Sequence, residues 1–405
     1  MKHSCLLTLC AFLTIPTLAQ SDLKFSFGAD IKNGWTRVAP TDLYSTNTGY
    51  GFEPGADTTA GAKSAGSEKP FYFSVRLPEG NYQVTAVLGG EQPSTNTVKA
   101  ELRRLMLEKF PVKAGKSETC TFIVNLRTLD ISGTNHVHLK PREKSSEVWD
   151  WDDKLTLEFN GVNPSLGSLE IKPVKVPTVF LIGDSTVCDQ PAEPWNSWGQ
   201  MLPRFFRPKV AVANHAESGE TIADSLRAQR FEKIFSLMKP GDYLFIQFGH
   251  NDQKNHAANA LEIYRQDLQN VVARTRSLGG TPVLVTSMER KAGLDADTLA
   301  GYPDAVRDVA RTGHCALIDL NAMSRVFYRA LGSNLDKAFQ DGTHHNNYGS
   351  YELAKCVALG IRQNKLPLAK WLVDDFDFDP AHPDDVSTFE MAVSPNASAL
   401  KPLGN

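Results

Sequence analysis

The chain has 405 residues, 41% of them hydrophobic and 22% charged, and a formal net charge of −3. That length is too great for one small core and enough for two domains. There is no basic excess to neutralise phosphates, so nucleic acid is not an expected partner.

The first residues read MKHSCLLTLCAFLTIPTLAQSD. Lys2 supplies a positive start, an apolar stretch runs from Leu6 to Ile15, and Thr17-Leu18-Ala19 offers small residues for cleavage. Residues 1–19 therefore read as a secretory signal peptide cut near Ala19, which predicts a secreted or periplasmic product. The stretch is shorter than the ~20 apolar residues of a membrane helix, and no other segment approaches that length, so no span is expected. Leu9 before Cys10 does not fit a lipoprotein signal. Cys5 and Cys10 leave with the signal. Cys120, Cys188, Cys315 and Cys356 are too scattered for a disulfide scaffold and read as free, buried thiols.

Residues 20–172 are predicted to form an all-β sandwich. FYFSVRL (71–77), YQVTAVLG (82–89), TCTFIVNL (119–126), NHVHLK (135–140) and KLTLEFNG (154–161) each alternate with a period of two. PREKSSEVWDWDD (141–153) reads as a loop between strands. Its Asp150, Asp152 and Asp153 are taken as solvated acids rather than calcium ligands. His136 and His138 share one strand face but lack a third ligand, so no metal site is expected. Trp35, Tyr50, Trp149 and Trp151 are candidates for stacking on sugars, with core packing as the favoured alternative.

Beyond residue 172 the strands become unbroken apolar runs: TVFLIG (178–183), VAVAN (210–214), DYLFIQFG (242–249), TPVLVTS (281–287) and CALIDL (315–320). Helical patterns separate them. One places Leu261, Tyr264, Leu268, Val271, Val272 and Leu278 on a single stripe. Another does so with Leu299, Tyr302, Val306 and Val309, despite Pro303. Alternating β and α units predict a parallel α/β sheet with helices on both faces, its ligands outside the carboxyl ends of the strands. The acidic tail DDFDFDPAHPDD (374–385) is expected to be extended chain. Pro380 stands where an EF-hand loop needs glycine.

Four segments fall on that carboxyl edge: Gly183-Asp184-Ser185-Thr186, NHAESGETI (214–222), GHND (249–252) and DGTHHNNYG (341–349). Taken singly, each is a cap, a turn or a surface histidine. Together they supply what a serine nucleophile needs. Asp341 and His344 are three residues apart, so a turn can set the carboxylate on one imidazole nitrogen while the other faces Ser185. The backbone N–H groups of Ser185 and Gly219 and the side-chain amide of Asn251 are the candidate oxyanion donors. Asp184 is read as a structural hydrogen-bonding group of the turn, and Cys188 as a neighbour of the serine. No G-x-S-x-G elbow is present, which argues against a standard α/β-hydrolase.

These blocks resemble those of the SGNH (GDSL) hydrolases: Ser185, Gly219, Asn251 and His344, with Asp341 completing the D-x-x-H block. Within that superfamily GDSTVCDQ, PWNSWGQMLPRFF (194–206), QFGHND (247–252) and DGTHHNNYG are similar to rhamnogalacturonan acetylesterases. NTGYGFE (47–53) and TVKAELRRLMLE (97–108) look like the galactose-binding-like β-sandwich attached to several bacterial members.

The resemblance implies a flavodoxin-like esterase domain over residues 173–365, after the sandwich and before a C-terminal extension, 366–405. It implies a serine esterase that removes acetyl groups from pectic rhamnogalacturonan and needs no metal or cofactor. Ser185 would be the nucleophile, His344 the base and Asp341 its orienting group. His250 is a candidate for tuning Asn251 or touching substrate. Because pectic chains carry carboxylates, Lys254, His256, Arg290 and Lys291 are candidate cations at the site rim. The alternatives are an esterase acting on acetylated xylan or another polysaccharide, and a carbohydrate-binding protein with a vestigial site.

Overall fold

The structure, a computed structural model, describes residues 22–29, 33–398 and 401. The expected signal peptide, with Cys5 and Cys10, lies outside the described residues.

The N-terminal region is a sandwich of two antiparallel sheets. In one, Glu118–Leu126, Gly80–Leu88, Ser165–Pro173 and Leu23–Ser26 lie side by side, and Thr36–Arg37 adds in parallel at the edge. The other runs Tyr50–Phe52, Phe71–Arg76, Lys154–Val162, Ser94–Ala100, Arg104–Val112. Along Gly80–Leu88, Tyr82, Val84, Ala86 and Leu88 are buried and the residues between them are half-buried, as the pleat requires. Phe27, Phe52, Phe71, Phe73 and Phe159 fill the space between the sheets. Phe27 and Phe73 meet edge to face at 4.9 Å.

Three sequence expectations change here. NHVHLK is not a sandwich strand: only Asn135–His136 pairs, with Asp130–Ser132, in a separate ribbon. Beyond it the His138 amide donates to the Ala228 carbonyl, outside both sheets. Residues 141–153 contain two short 3-10 turns, Pro141–Lys144 and Val148–Asp150. Asp150 is not a solvated acid, because it is buried in an ion pair with Arg127 at 2.8 Å. Of the four aromatics, Tyr50 packs on Phe25 at 5.0 Å and Trp149 on Tyr72 at 5.1 Å. Trp151 is buried under the Arg127 guanidinium, and Lys24 lies over Trp35.

The last sandwich strand ends at Pro173 and the first parallel strand begins at Thr178. The second sheet has the order Ala211–Asn214, Thr178–Gly183, Tyr243–Gln247, Thr281–Val285, Ala316–Ile318, all parallel. This 2-1-3-4-5 order is flavodoxin-like. Alternate residues of the first strand serve opposite layers. Val179 and Leu181 join a core with the helices Leu320–Leu331 and Asn347–Gln363. Phe180 and Ile182 join another with Arg230–Leu237, Ala260–Ser277 and Tyr302–Thr312. The helical stripe appears as expected: Tyr264, Leu268, Val271 and Val272 are buried, and Leu261 and Leu278 pack on the same cluster. Pro303 sits in the first turn of its helix, where a missing N–H costs nothing.

The acidic tail has no regular helix or strand through residue 385, and it packs on the body through Phe376 and Phe378. Further on, Ser394 is buried and accepts from Lys99 Nζ at 2.7 Å. Among the described residues no helix is long and apolar enough to cross a membrane. The cysteines there are free, and Cys315 is only half-buried.

Candidate active site

The first parallel strand ends in Gly183, where a Cβ would stand 2.5 Å from the Gln247 carbonyl oxygen of the third strand. Asp184 then bends the chain. Its Oδ1 accepts from the Thr186 amide (3.0 Å) and hydroxyl (2.7 Å), and its carbonyl accepts from Val187 and Cys188. Ser185 is left at the sheet's carboxyl edge, only 4% exposed, with its own carbonyl held by Gln190 Nε2 at 2.7 Å.

The partner side comes from the loop before the helix Asn347–Gln363. Asp341 Oδ1 accepts from the Thr343 and His344 amides, both at 2.7 Å, which curls the loop. The same carboxylate meets His344 Nδ1 at 2.9 and 3.0 Å. His344 Nε2 lies 2.8 Å from Ser185 Oγ. The edge of Trp195 closes on the imidazole at 5.9 Å. Partial burial opposes charge on Asp341, but hydrogen bonds from the His344 ring, Lys401 and the His344 amide outweigh it and hold the carboxyl far below its usual range. A surface cavity of about 440 Å³ is lined by Gln340 and Pro194, the neighbours of Asp341 and Trp195.

The adjacent His345 plays a different part. Burial, then the charges of His344 and His250, push its imidazole down to about 3. Its Nε2 bonds the Tyr328 hydroxyl at 2.9 Å, inside the fold.

Gly219 occupies the turn after the second strand with φ of +74°, a left-handed conformation that favours glycine. Asn251 Nδ2 donates to the Glu220 carbonyl at 3.1 Å, which ties the third loop to the second and leaves one amide hydrogen over. Among the described residues, neither the Ser185 nor the Gly219 N–H donates to another protein group.

His250 is placed otherwise than expected, and Asp184 as expected. His250 is 2% exposed; Nε2 meets the Met288 carbonyl at 2.9 Å and Nδ1 faces Asp184 Oδ2 at 3.3 Å. With Nε2 bonded and Nδ1 turned towards the Asp184 carboxylate inside the fold, it braces the turn below Ser185 and offers no free edge to a substrate. Burial disfavours charge on Asp184, but His250 and Thr186 more than offset it and keep the carboxyl below its usual range. Asp184 is thus a structural anchor of the turn.

The expected rim cations are mostly engaged with protein. Lys254 Nζ donates to Asn251 Oδ1 at 2.7 Å, Arg290 donates to the His250 carbonyl at 3.0 Å, and Lys291 pairs with Asp336. His256 is exposed. Burial pushes the Cys188 thiol well above its usual value, and its Sγ rests 3.2 Å from Ser218 Oγ. A thiol so held is a poor nucleophile.

Sequence reasoning missed Gln190 and Trp195, which hold Ser185 and cover His344. It also missed Lys140 and Arg142, which reach Ser218 from the sandwich region. The run of charges in PREKSSE was the available signal, and it fits a solvated loop equally well.

Residues 181–350 match the GDSL-like Lipase/Acylhydrolase family. The chain is 36% identical over 224 residues to the rhamnogalacturonan acetylesterase RhgT of Bacillus subtilis (strain 168), covering 50% of this chain and 95% of that protein. The chain belongs to the GDSL-like lipase/acylhydrolase family. Another relative, the probable rhamnogalacturonan acetylesterase YesY of the same organism, is 30% identical over 49% of this chain and 98% of its own. The likeness of this GDSL-like chain to the uncharacterized esterase YxiM of Bacillus subtilis is 25% over 84% of this chain and 90% of that protein, so it spans the sandwich as well. A crystal structure of YxiM covers 86% of this chain and 99% of its own, with 22% identity and a TM-score of 0.48.

Proposed function

We propose that the protein is a carbohydrate esterase that releases acetate from acetylated rhamnogalacturonan through an acetyl-serine intermediate. The observation that carries this reading is the unbroken line from Asp341 through His344 to Ser185 Oγ. The names of RhgT and YesY support the pectic substrate.

Ser185 Oγ attacks the acetyl carbonyl as His344 Nε2 takes its proton. Negative charge then gathers on the former carbonyl oxygen, where the Ser185 and Gly219 N–H groups and the spare Asn251 amide hydrogen stabilise it. On collapse His344 returns the proton to the departing sugar oxygen. Water, deprotonated by the same imidazole, attacks the acetyl-serine; the bond from the acyl carbon to Ser185 Oγ breaks, His344 returns the proton to that oxygen, and acetate leaves. Asp341 fixes the ring and stabilises the imidazolium. The reading includes export, with the exported chain starting at Gln20, which N-terminal sequencing of the secreted or periplasmic protein would check.

Acetate release from acetylated rhamnogalacturonan, acetylated xylan and an aryl acetate tests both parts. The pectic substrate should give the highest kcat/KM, and Ser185→Ala should lose at least ~10⁴-fold on all three. Faster turnover of xylan would move the protein to that substrate. No release from any of them would leave a binding protein. An active Ser185→Ala would remove the mechanism.

A further inference from the structure

The loop that carries Gly219 is held from the other half of the molecule. Lys140 Nζ donates to the Ser218 carbonyl oxygen at 2.8 Å, and Arg142 donates to the same oxygen. That carbonyl and the Gly219 N–H are the two ends of one peptide unit, which is planar and trans, so they point in opposite directions. Whatever fixes the oxygen also aims the N–H.

The two cations are themselves fixed. Lys140 pairs with Glu220 at 2.5 Å, and Arg142 with Glu217 and with Glu147, the latter at 3.4 Å. The Lys140 amide donates to Glu143 Oε2 at 2.8 Å. Glu143 in turn takes both terminal nitrogens of Arg230, at 2.9 and 2.7 Å, and both side chains are closed to solvent. Arg230 opens a helix of the parallel-sheet domain. A line of charge-assisted bonds therefore runs from that helix, through residues 140–143 of the sandwich side, back to the 218–219 peptide.

We propose that Lys140 and Arg142 are positioning residues for ester hydrolysis, aiming and polarising the 218–219 peptide so that the Gly219 N–H is set for the oxyanion before substrate arrives. This rests on the reading of Gly219 as an oxyanion donor. Two cations on the carbonyl draw electron density towards it and strengthen the N–H at the far end as a donor. Donors fixed beforehand stabilise a developing charge without reorganising. The sandwich then does more than sit beside the esterase domain: its 140–143 segment completes the site.

The test uses the full chain, with an aryl acetate as probe so that sugar contacts play no part. Lys140 is partly exposed, and Arg142 stays on the carbonyl without it, so Lys140→Met is the variant expected to fold. Its kcat should fall about tenfold, below the ~10²–10³ that loss of a whole oxyanion donor costs, with KM within about twofold. Lys140→Arg should recover most of that loss. Arg142→Lys, which keeps the charge but cannot reach Glu147 through Nε while Nη2 holds Ser218 and Glu217, should also lose kcat rather than KM. Unchanged kcat in both Lys140→Met and Arg142→Lys, or a loss confined to KM, overturns the inference. Ser185→Ala in the same assay separates the two levels. If it stays active, the reading of the site fails. If it is dead while Lys140→Met and Arg142→Lys match the unaltered enzyme, only the positioning role fails.

Discussion

Two arrangements of charge hold the loops of the candidate site, one at the 341–344 turn and one at the 217–220 turn. At the first stands a single carboxylate, Asp341, partly open to solvent and given hydrogen-bond donors until its carboxyl sits far below the usual range. At the second, Glu143, Glu147, Glu217, Glu220 and Arg230 are buried, and the half-buried Lys140 and Arg142 pair with them. There burial, and next the charge of a neighbouring glutamate, push Glu147 and Glu217 upward. The contrast teaches what each arrangement is for. In the proposed mechanism Asp341 must stay ionised beside a reacting imidazole, and a carboxylate kept near water and saturated with donors does so. A buried crowd of ions adds little stability over apolar side chains of the same volume, but its hydrogen bonds have direction, and direction is what a loop such as 217–220 needs.

The largest effect should come from the isolated carboxylate. Asp341→Asn keeps the shape of the loop but weakens the hold on the imidazolium, and kcat for acetate release should fall by roughly 10²–10⁴ with little change in melting temperature. A large fall in melting temperature instead would mean that Asp341 is chiefly structural and would erase the contrast.

Next comes the crowd. Arg230→Met strands the Glu143 charge in the interior and should cost about 3–5 kcal/mol, read as a lower urea midpoint. The double variant Arg230→Met with Glu143→Met should regain most of that loss, because no lone charge remains. Failure of the double variant to recover would show that this ion pair supplies stability outright and not only direction.

The smallest effect concerns pH. The Glu147 carboxyl is raised in the folded chain above the 4.5 of an ordinary glutamate, so the native state holds its proton more tightly than the unfolded one. Its contribution to stability is complete below about pH 4.5 and is lost as pH rises through the folded value. Glu147→Gln cannot ionise, so its melting temperature should decline less from pH 5 to pH 9, by about 2–4 °C. Parallel melting curves for the two proteins would place the Glu147 charge outside the crowd's balance.

Much of this was legible beforehand. The run VFLIG has no polar side chain to expose, so it had to be a strand covered on both faces, and Gly183-Asp184-Ser185 marked its end. Asp341 and His344 carry their own spacing, and the turn that joins them closes within four residues. Elsewhere local pattern misled. NHVHLK alternates like a sandwich strand but serves a ribbon against the second domain. Ser94–Ala100 hid the opposite way: its buried Asn96 and Lys99 break the apolar alternation, and Lys99 is satisfied by Glu193 and Ser394, far along the chain. His250 stood beside Asn251 like a second site residue, yet its partners Asp184 and Met288 draw it inside.

By itself, then, the sequence determined the strands with apolar periods, the alternation of the parallel units with helices and the Asp341–His344 pair, because each depends on residues a few positions apart or on a pattern that repeats along one element; Ser185, 159 residues before His344, was joined to that pair only by the resemblance of the four blocks to a known family. Tertiary structure alone decided which charges lie on the 218–219 peptide. Lys140 and Ser218 are 78 residues apart, and neither carries a local sign of the other. A lysine in a polar loop stays solvated unless folding brings a buried carbonyl to it, and here the packing of the sandwich against the parallel sheet does so.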